Sequence, residues 1–222
     1  MNALIVTGTD TGIGKTVVSA MLTLALDGYY WKPIQSGLDG PTDLQTVASI
    51  TGVETERLLP EVYRLREPLS PHRAAELDGI CIQPEALQPP VIPPDRWLII
   101  EGAGGVLVPL TRTMLQIDLF ARWHAPTVVV ARTALGTINH TLLTIEALKR
   151  RSIPLLGIVF AGDELADTQH AIAQFSGARI LGRIPVLQQL NAETLRAAFI
   201  AGFALADFTP VTSKPQTRRG TE

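Results

Sequence analysis

The first sixteen residues already restrict the fold: Ala3-Leu-Ile-Val-Thr7 is an apolar run, and Gly8-Thr-Asp-Thr-Gly-Ile-Gly-Lys-Thr16 follows it without a break. The pair reads as a buried strand, a phosphate-binding loop and a helix start. Glycines let backbone N–H groups turn inward around phosphate oxygens, Lys15 adds a mobile positive charge, and the Thr16 hydroxyl suits Mg²⁺. The general loop pattern has four residues between its first glycine and the Gly-Lys pair; here five residues separate Gly8 from Gly14, so the loop is a variant. A nucleoside triphosphate is the first ligand this opening predicts.

A chain of 222 residues suits one α/β domain, expected over residues 1–208, that buries a core without covalent staples. Nineteen Lys and Arg against twenty-one Asp and Glu give a net charge of −2, which offers nucleic acid little electrostatic attraction. Cys81 stands alone, which excludes an internal disulfide framework and a cysteine-rich zinc site. No apolar stretch approaches a membrane span, and the N-terminus enters a strand almost at once, so a cytoplasmic location is expected.

Apolar runs recur at Leu4–Val6, Trp97–Ile100, Thr127–Val130 and Leu155–Phe160, without the alternation of a half-exposed sheet. Helical patterns lie between and after them, near Lys15–Leu26, Thr42–Ile50, Leu115–Trp123, Ile138–Arg151, Asp167–Phe175 and Ala192–Ala206. Strands alternating with helices predict a doubly wound, mostly parallel sheet in a three-layer αβα fold of the P-loop NTPase type. Proline-rich Pro60–Pro94 is weakly periodic and reads as an excursion lining one edge of the site. The polar segment 209–222 is predicted to stay flexible, with Arg218 and Arg219 solvated.

Ligands of such sheets sit beyond the carboxyl ends of the strands. Lys32 ends the short aromatic run Tyr29-Tyr-Trp and is followed by Ser36 in a Pro-Gly turn; alone, such a lysine is more often solvated. Glu101 follows Trp97–Ile100 and precedes Gly102-Ala-Gly-Gly105, which suits an Mg²⁺-side carboxylate or, alternatively, a cap on the next turn. The helix start after Gly136 would attract a carboxylate, or Thr137 or Asn139 would simply cap it. Asp43 opens a helix, and by itself reads as a cap favouring the dipole. His72 sits beside a turn with no neighbour in sequence to orient its ring, and receives no catalytic role.

Together Gly8–Thr16, Lys32-Pro-Ile-Gln-Ser-Gly37, Ser70-Pro-His72, Glu101-Gly-Ala-Gly-Gly105 and Leu135-Gly-Thr-Ile-Asn-His140 resemble the dethiobiotin synthetase family, in order and up to about Leu190. The resemblance implies a homodimer that joins 7,8-diaminononanoate and CO₂ at the expense of ATP or another NTP. A carbamate would attack the γ-phosphoryl group, and the second amine would then close the cyclic urea. It further implies catalytic roles for Lys15, Lys32 and Thr11, and Mg²⁺ held by Thr16, Asp43 and Glu101. Ser36 and Thr11 would contact the carbamate region, and Gly136, Thr137, Ile138 and Asn139, reaching across the dimer, the distal carboxylate. Gly12, Ile13, Gly14, Lys15, Thr16 and Val17 would wrap the phosphates. Asp43, Glu101, Gly102, Ala103 and Gly104, with Pro185, Val186 and Leu187 at the base, would complete the nucleotide site.

After the Leu155–Phe160 run the family commonly places an adenine-reading asparagine, whereas this chain has Ala161-Gly162-Asp163, which leaves the base preference open. A partitioning-type P-loop switch carries a signature lysine where this chain has Asp10. A corrinoid-type amidating synthetase needs a glutaminase domain for which the chain has no room.

Overall fold

A computed structural model describes residues 2–208; the segment 209–222, read above as a tail, lies outside the described residues. The chain runs β1 (Asn2–Gly8), α1 (Lys15–Ala25), β2 (Tyr29–Trp31), β3 (Ile34–Ser36), α2 (Asp43–Thr51), β4 (Leu58–Leu59) and β5 (Tyr63–Leu65). It continues through α3 (Pro71–Asp78), β6 (Trp97–Gly105), α4 (Gln116–Trp123), β7 (Thr127–Arg132), α5 (Thr137–Arg150), β8 (Leu155–Ala161), α6 (Ala166–Ser176), β9 (Ile180–Ile184) and α7 (Ala192–Gly202).

Seven strands form one sheet in the order β4-β2-β6-β1-β7-β8-β9, and every pairing in it is parallel. Successive residues of β1 point to opposite faces, so Leu4 and Val6 pack under α1, α2 and α7 while Ile5 packs under α4 and α5. Both faces are therefore covered, which is why the strands read as continuous apolar runs. Each fully buried aliphatic side chain in these layers contributes roughly 1.5–3 kcal/mol.

The chain leaves β1 toward β2 and β6 on one side and later fills β7, β8 and β9 on the other. Beyond the carboxyl end of β1 the connections diverge, opening the crevice in which such sheets bind ligands. Among the described residues no helix is long and apolar enough to cross a membrane.

Several elements depart from the sequence expectation. Strand β6 runs on through Glu101 to Gly105, because the glycines continue the ladder and pair Gly105 with Gly8. Strand β9 escapes the apolar pattern because Gly182 and Arg183 interrupt it. The proline-rich excursion is ordered rather than featureless: β3 and β5 pair in a second small sheet, and Pro71 opens α3 at the helix position that tolerates proline. Helix α7 stops at Gly202, short of the expected Ala206.

Candidate active site

The loop between β1 and α1 gives the site its floor. Gly14 is the N-cap of α1 with φ of 100°, a left-handed conformation that favours glycine, and it offers no side-chain cap. The first N–H groups of α1 thus remain available to an anion. The space is tight as well, since a Cβ at Gly14 would lie 3.2 Å from the Ala161 Cβ. Lys15 is 6% exposed and donates to the Asp10 carbonyl at 2.7 Å. Burial lowers its pKa to about 8; Glu101 opposes the shift and Lys32 adds to it.

A polar cluster stands beside the loop. The Thr16 hydroxyl lies 2.7 Å from Asp43 Oδ1 and 2.9 Å from Glu101 Oε1, so residues far apart in sequence converge on one oxygen. Lys32 forms a close ion pair with Asp43 and lies 3.4 Å from Glu101 Oε1. Tyr30 donates its hydroxyl to Glu101 Oε2 at 3.1 Å from the strand next door.

Lys32 is only 7% exposed, against the solvated reading that its sequence position alone favours. The aromatic residues of β2 pull it inward, and two carboxylates receive it. Burial opposes its charge, but Glu101 and Asp43 outweigh burial and raise the ammonium's pKa. Burial likewise opposes ionised Asp43, and there Lys32, Thr16 and Lys15 prevail and lower its pKa. The Tyr30 phenol is pushed well above its ordinary value by burial and by Glu101.

Asp43 does not cap its helix. Thr42 does, accepting from the Gln45 N–H while the Gln45 side chain accepts from Thr42, a reciprocal box that frees Asp43 to face the cluster. Nor is Glu101 a turn cap, since it lies inside β6 at 1% exposure.

Lys32 and Asp43 line a cavity of about 300 Å³ together with Thr11, Ser36, Ala103 and Gly104. Its far wall is Pro68-Leu-Ser-Pro71, so the excursion does border the site, as its composition suggested. Among the described residues the buried Ser36 hydroxyl has no hydrogen-bond partner, which leaves it for a ligand. Gln116, which no sequence pattern singled out, clamps this wall: its side chain accepts from the Ala103 N–H at 2.7 Å and donates to the Gly105 carbonyl at 3.2 Å. Gly102 instead packs under α4, where a Cβ would meet Gln116 and Phe120 at 2.8 Å.

A second cavity joins Gly12, Ile13, Gly14 and Val17 to Pro185, Val186 and Leu187, bringing the loop to the segment expected at the base. Ala161 and Gly162 form its floor, and Arg132 is the one charged side chain among its lining residues. Arg132 is engaged by Asp10 at 2.7 Å.

Gly136 has φ of 90° and starts α5 without a side-chain cap, so neither Thr137 nor Asn139 satisfies the helix terminus as a cap. Thr137 is buried and faces Thr141, whereas Gly136, Ile138 and Asn139 are exposed. The Gly136–Ile138 turn lines a separate cavity with Leu165 and Thr168.

His72 is oriented after all: its Nδ1 lies 3.0 Å from the Ser70 hydroxyl.

Solved structures resemble this fold: a ParA family ATPase from Chlorobium tepidum superposes with a TM-score of 0.53 at 12% identity, over 95% of this chain and 94% of that one. The MinC:MinD cell division protein complex of Aquifex aeolicus gives a TM-score of 0.51 at 15% identity, over 99% of this chain and 100% of the other. At such identities the likeness concerns the doubly wound fold alone. A family profile described as AAA domain matches residues 2–194. The ATP-dependent dethiobiotin synthetase BioD of Nitrobacter hamburgensis is 58% identical over 205 residues, 92% of this chain and 96% of that protein. The protein of the same name from Rhizorhabdus wittichii is 56% identical over 208 residues, 94% and 99% of the two chains. The buried lysine between two carboxylates beside a phosphate loop thus sits in a chain of the dethiobiotin synthetase family.

Proposed function

We propose that this protein is an ATP-dependent ligase of biotin biosynthesis that carboxylates 7,8-diaminononanoate with CO₂ and closes the product to dethiobiotin. The observation that carries this reading is the adjacency of two compartments: the cavity of Thr11, Lys32 and Ser36 shares Asp43 with the polar cluster beside the phosphate loop. A carbamate in the first would meet a γ-phosphoryl group held in the second.

The chemistry brings two anions together, so the protein's task is neutralisation and alignment. Lys32, charged throughout the neutral range because its pKa is raised, balances the carbamate and the phosphoryl oxygens between them. Lys15 reaches the phosphates by releasing the Asp10 carbonyl. Thr11 and the unpartnered Ser36 hydroxyl orient the carbamate. Ring closure then breaks the bond to phosphate, and no covalent nucleophile on the protein is needed.

Thr16, Asp43 and Glu101 fit Mg²⁺: their donors are all oxygen, and the carboxylates already face a cation in Lys32. When bound, the ion would offset charge on the transferring phosphoryl group.

The reading is tested by phosphate release and dethiobiotin formation with ATP. Both should require bicarbonate and diaminononanoate together, and ATP turnover unaffected by either would overturn the assignment. The distal carboxylate is assigned to the start of α5, contributed by a second copy in a homodimer, and a cytoplasmic location belongs to the same reading.

A pH effect follows from Lys15. Its pKa of about 8 in the free protein must rise when phosphate binds, so binding takes up a proton at pH values above 8. Affinity for a non-hydrolysable ATP analogue should be nearly flat from pH 7 to 8 and fall about tenfold by pH 9. Isothermal titration across that range checks it, and Lys15→Met should lose the dependence together with most of the affinity.

A further inference from the structure

Ring closure sheds a proton, and apart from the departing phosphate no group of the cluster is placed to accept it. When the second amine attacks the carbonyl, a C–N bond forms, the bond from carbon to the phosphate oxygen breaks with its electron pair leaving on phosphate, and the nitrogen must shed a proton. Lys32 is a cation and cannot accept it. Asp43 is ion-paired to Lys32 and is a poor base. Among the described residues the Ser36 hydroxyl has no partner to which it could pass a proton.

Ser70 differs. It lines the same cavity as Lys32 and occupies the N-cap position of α3, where serine ordinarily bonds the helix's own N–H groups. Here the hydroxyl makes no cap bond and lies instead 3.0 Å from His72 Nδ1. His72 in turn lines a different cavity with Pro109, Thr111, Arg112, Thr113, Met114 and Leu115.

We propose that Ser70 and His72 form a proton exit from the diamine cavity. The nitrogen gives its proton to Ser70 Oγ as the hydroxyl passes its own to His72 Nδ1. The imidazolium then releases a proton from Nε2 into the second cavity. Ser70 is the catalytic residue and His72 acts through it, with the tautomer protonated on Nε2 ready to accept. The charged groups around the ring suit this role. Arg112 shares the second cavity, but its guanidinium is bridged to Glu76 at 2.6 and 2.7 Å, and Arg73 on α3 also pairs with Glu76, at 3.2 Å. On the diamine side stand Lys32 and Asp43, paired with each other.

The inference rests on the dethiobiotin-forming reading, and the test separates the two. Wild type, His72→Gln and Ser70→Ala are loaded with diaminononanoate and bicarbonate, and single-turnover dethiobiotin formation is followed after adding ATP and Mg²⁺. Both variants should slow at least tenfold near pH 7 with KM for the diamine within about threefold, and the deficit should shrink toward pH 9, where solvent base takes the proton. A third variant, His72→Ala, should be partly restored by added imidazole. Thermal melting and ATP-analogue binding report folding; should His72→Gln fold poorly, Ser70→Ala alone decides. Wild-type rates and pH profiles in folded variants, or a loss confined to KM, overturn the relay. No dethiobiotin from the wild type overturns the underlying reading instead.

Discussion

Lys32→Ala should bind the ATP analogue nearly as well as the wild type and yet turn over at least ~10³-fold more slowly, because it loses a cation that acts most strongly where charge develops. The substitution also unpairs two acids. Glu101 is 1% exposed, and Asp43 loses its closest cation, so removing Lys32 leaves buried negative charge without its partner. Breaking a buried pair in this way costs about 3–5 kcal/mol, of which part returns as the carboxylates take up protons. The variant should therefore melt lower in metal-free buffer and recover on adding Mg²⁺, if Thr16, Asp43 and Glu101 hold the ion as assigned. A kcat within tenfold of wild type would remove Lys32 from the reaction. A melting point indifferent to Mg²⁺ would remove the acids from the metal.

That double consequence shows how the sequence carried the site. Gly8–Thr16 was legible because a phosphate loop has few physical substitutes: left-handed glycines, a lysine and a hydroxyl must follow a buried strand in order. The four longest strands were legible for a similar reason, since burial on both faces leaves an unbroken apolar run. Asp43 taken alone reads as a cap, because a carboxylate at a helix start favours the dipole wherever it points. Only the reciprocal box of Thr42 and Gln45 shows that the cap is already supplied.

Taken alone, Lys32 reads as solvated and His72 as unoriented for one reason. Their partners lie far off in sequence or depend on a turn: Glu101 comes 69 residues after Lys32, and Ser70 reaches His72 only because its hydroxyl leaves the cap. Gln116 gave no signal at all, as a single glutamine that clamps backbone has no pattern to betray it. Strand β9 and the small sheet of β3 and β5 were lost to their brevity and to glycine, arginine and proline interrupting the apolar period.

Purified dimers pairing one Lys32→Ala subunit with one Asn139→Asp subunit should show about half the wild-type activity per dimer, although each variant alone is nearly inactive at low diamine concentration. The expectation rests on placement. The uncapped start of α5 at Gly136 opens into a cavity with Leu165 and Thr168 that shares no lining residue with the Lys32 cavity. On the proposed reading, the α5 start that meets the substrate carboxylate beside one Lys32 cavity comes from a second copy of the chain. The flank of α5 suits such a neighbour, for half-exposed Leu143 and Leu107 border an open cavity of about 450 Å³ with Thr11. Asn139→Asp is chosen because aspartate in the first turn favours the helix while its charge repels a substrate carboxylate. In the mixed dimer one site then combines an intact Lys32 with an intact Asn139, and the other carries both lesions. If α5 served its own chain, every site would carry one lesion and the mixed dimer would stay as inactive as its parents.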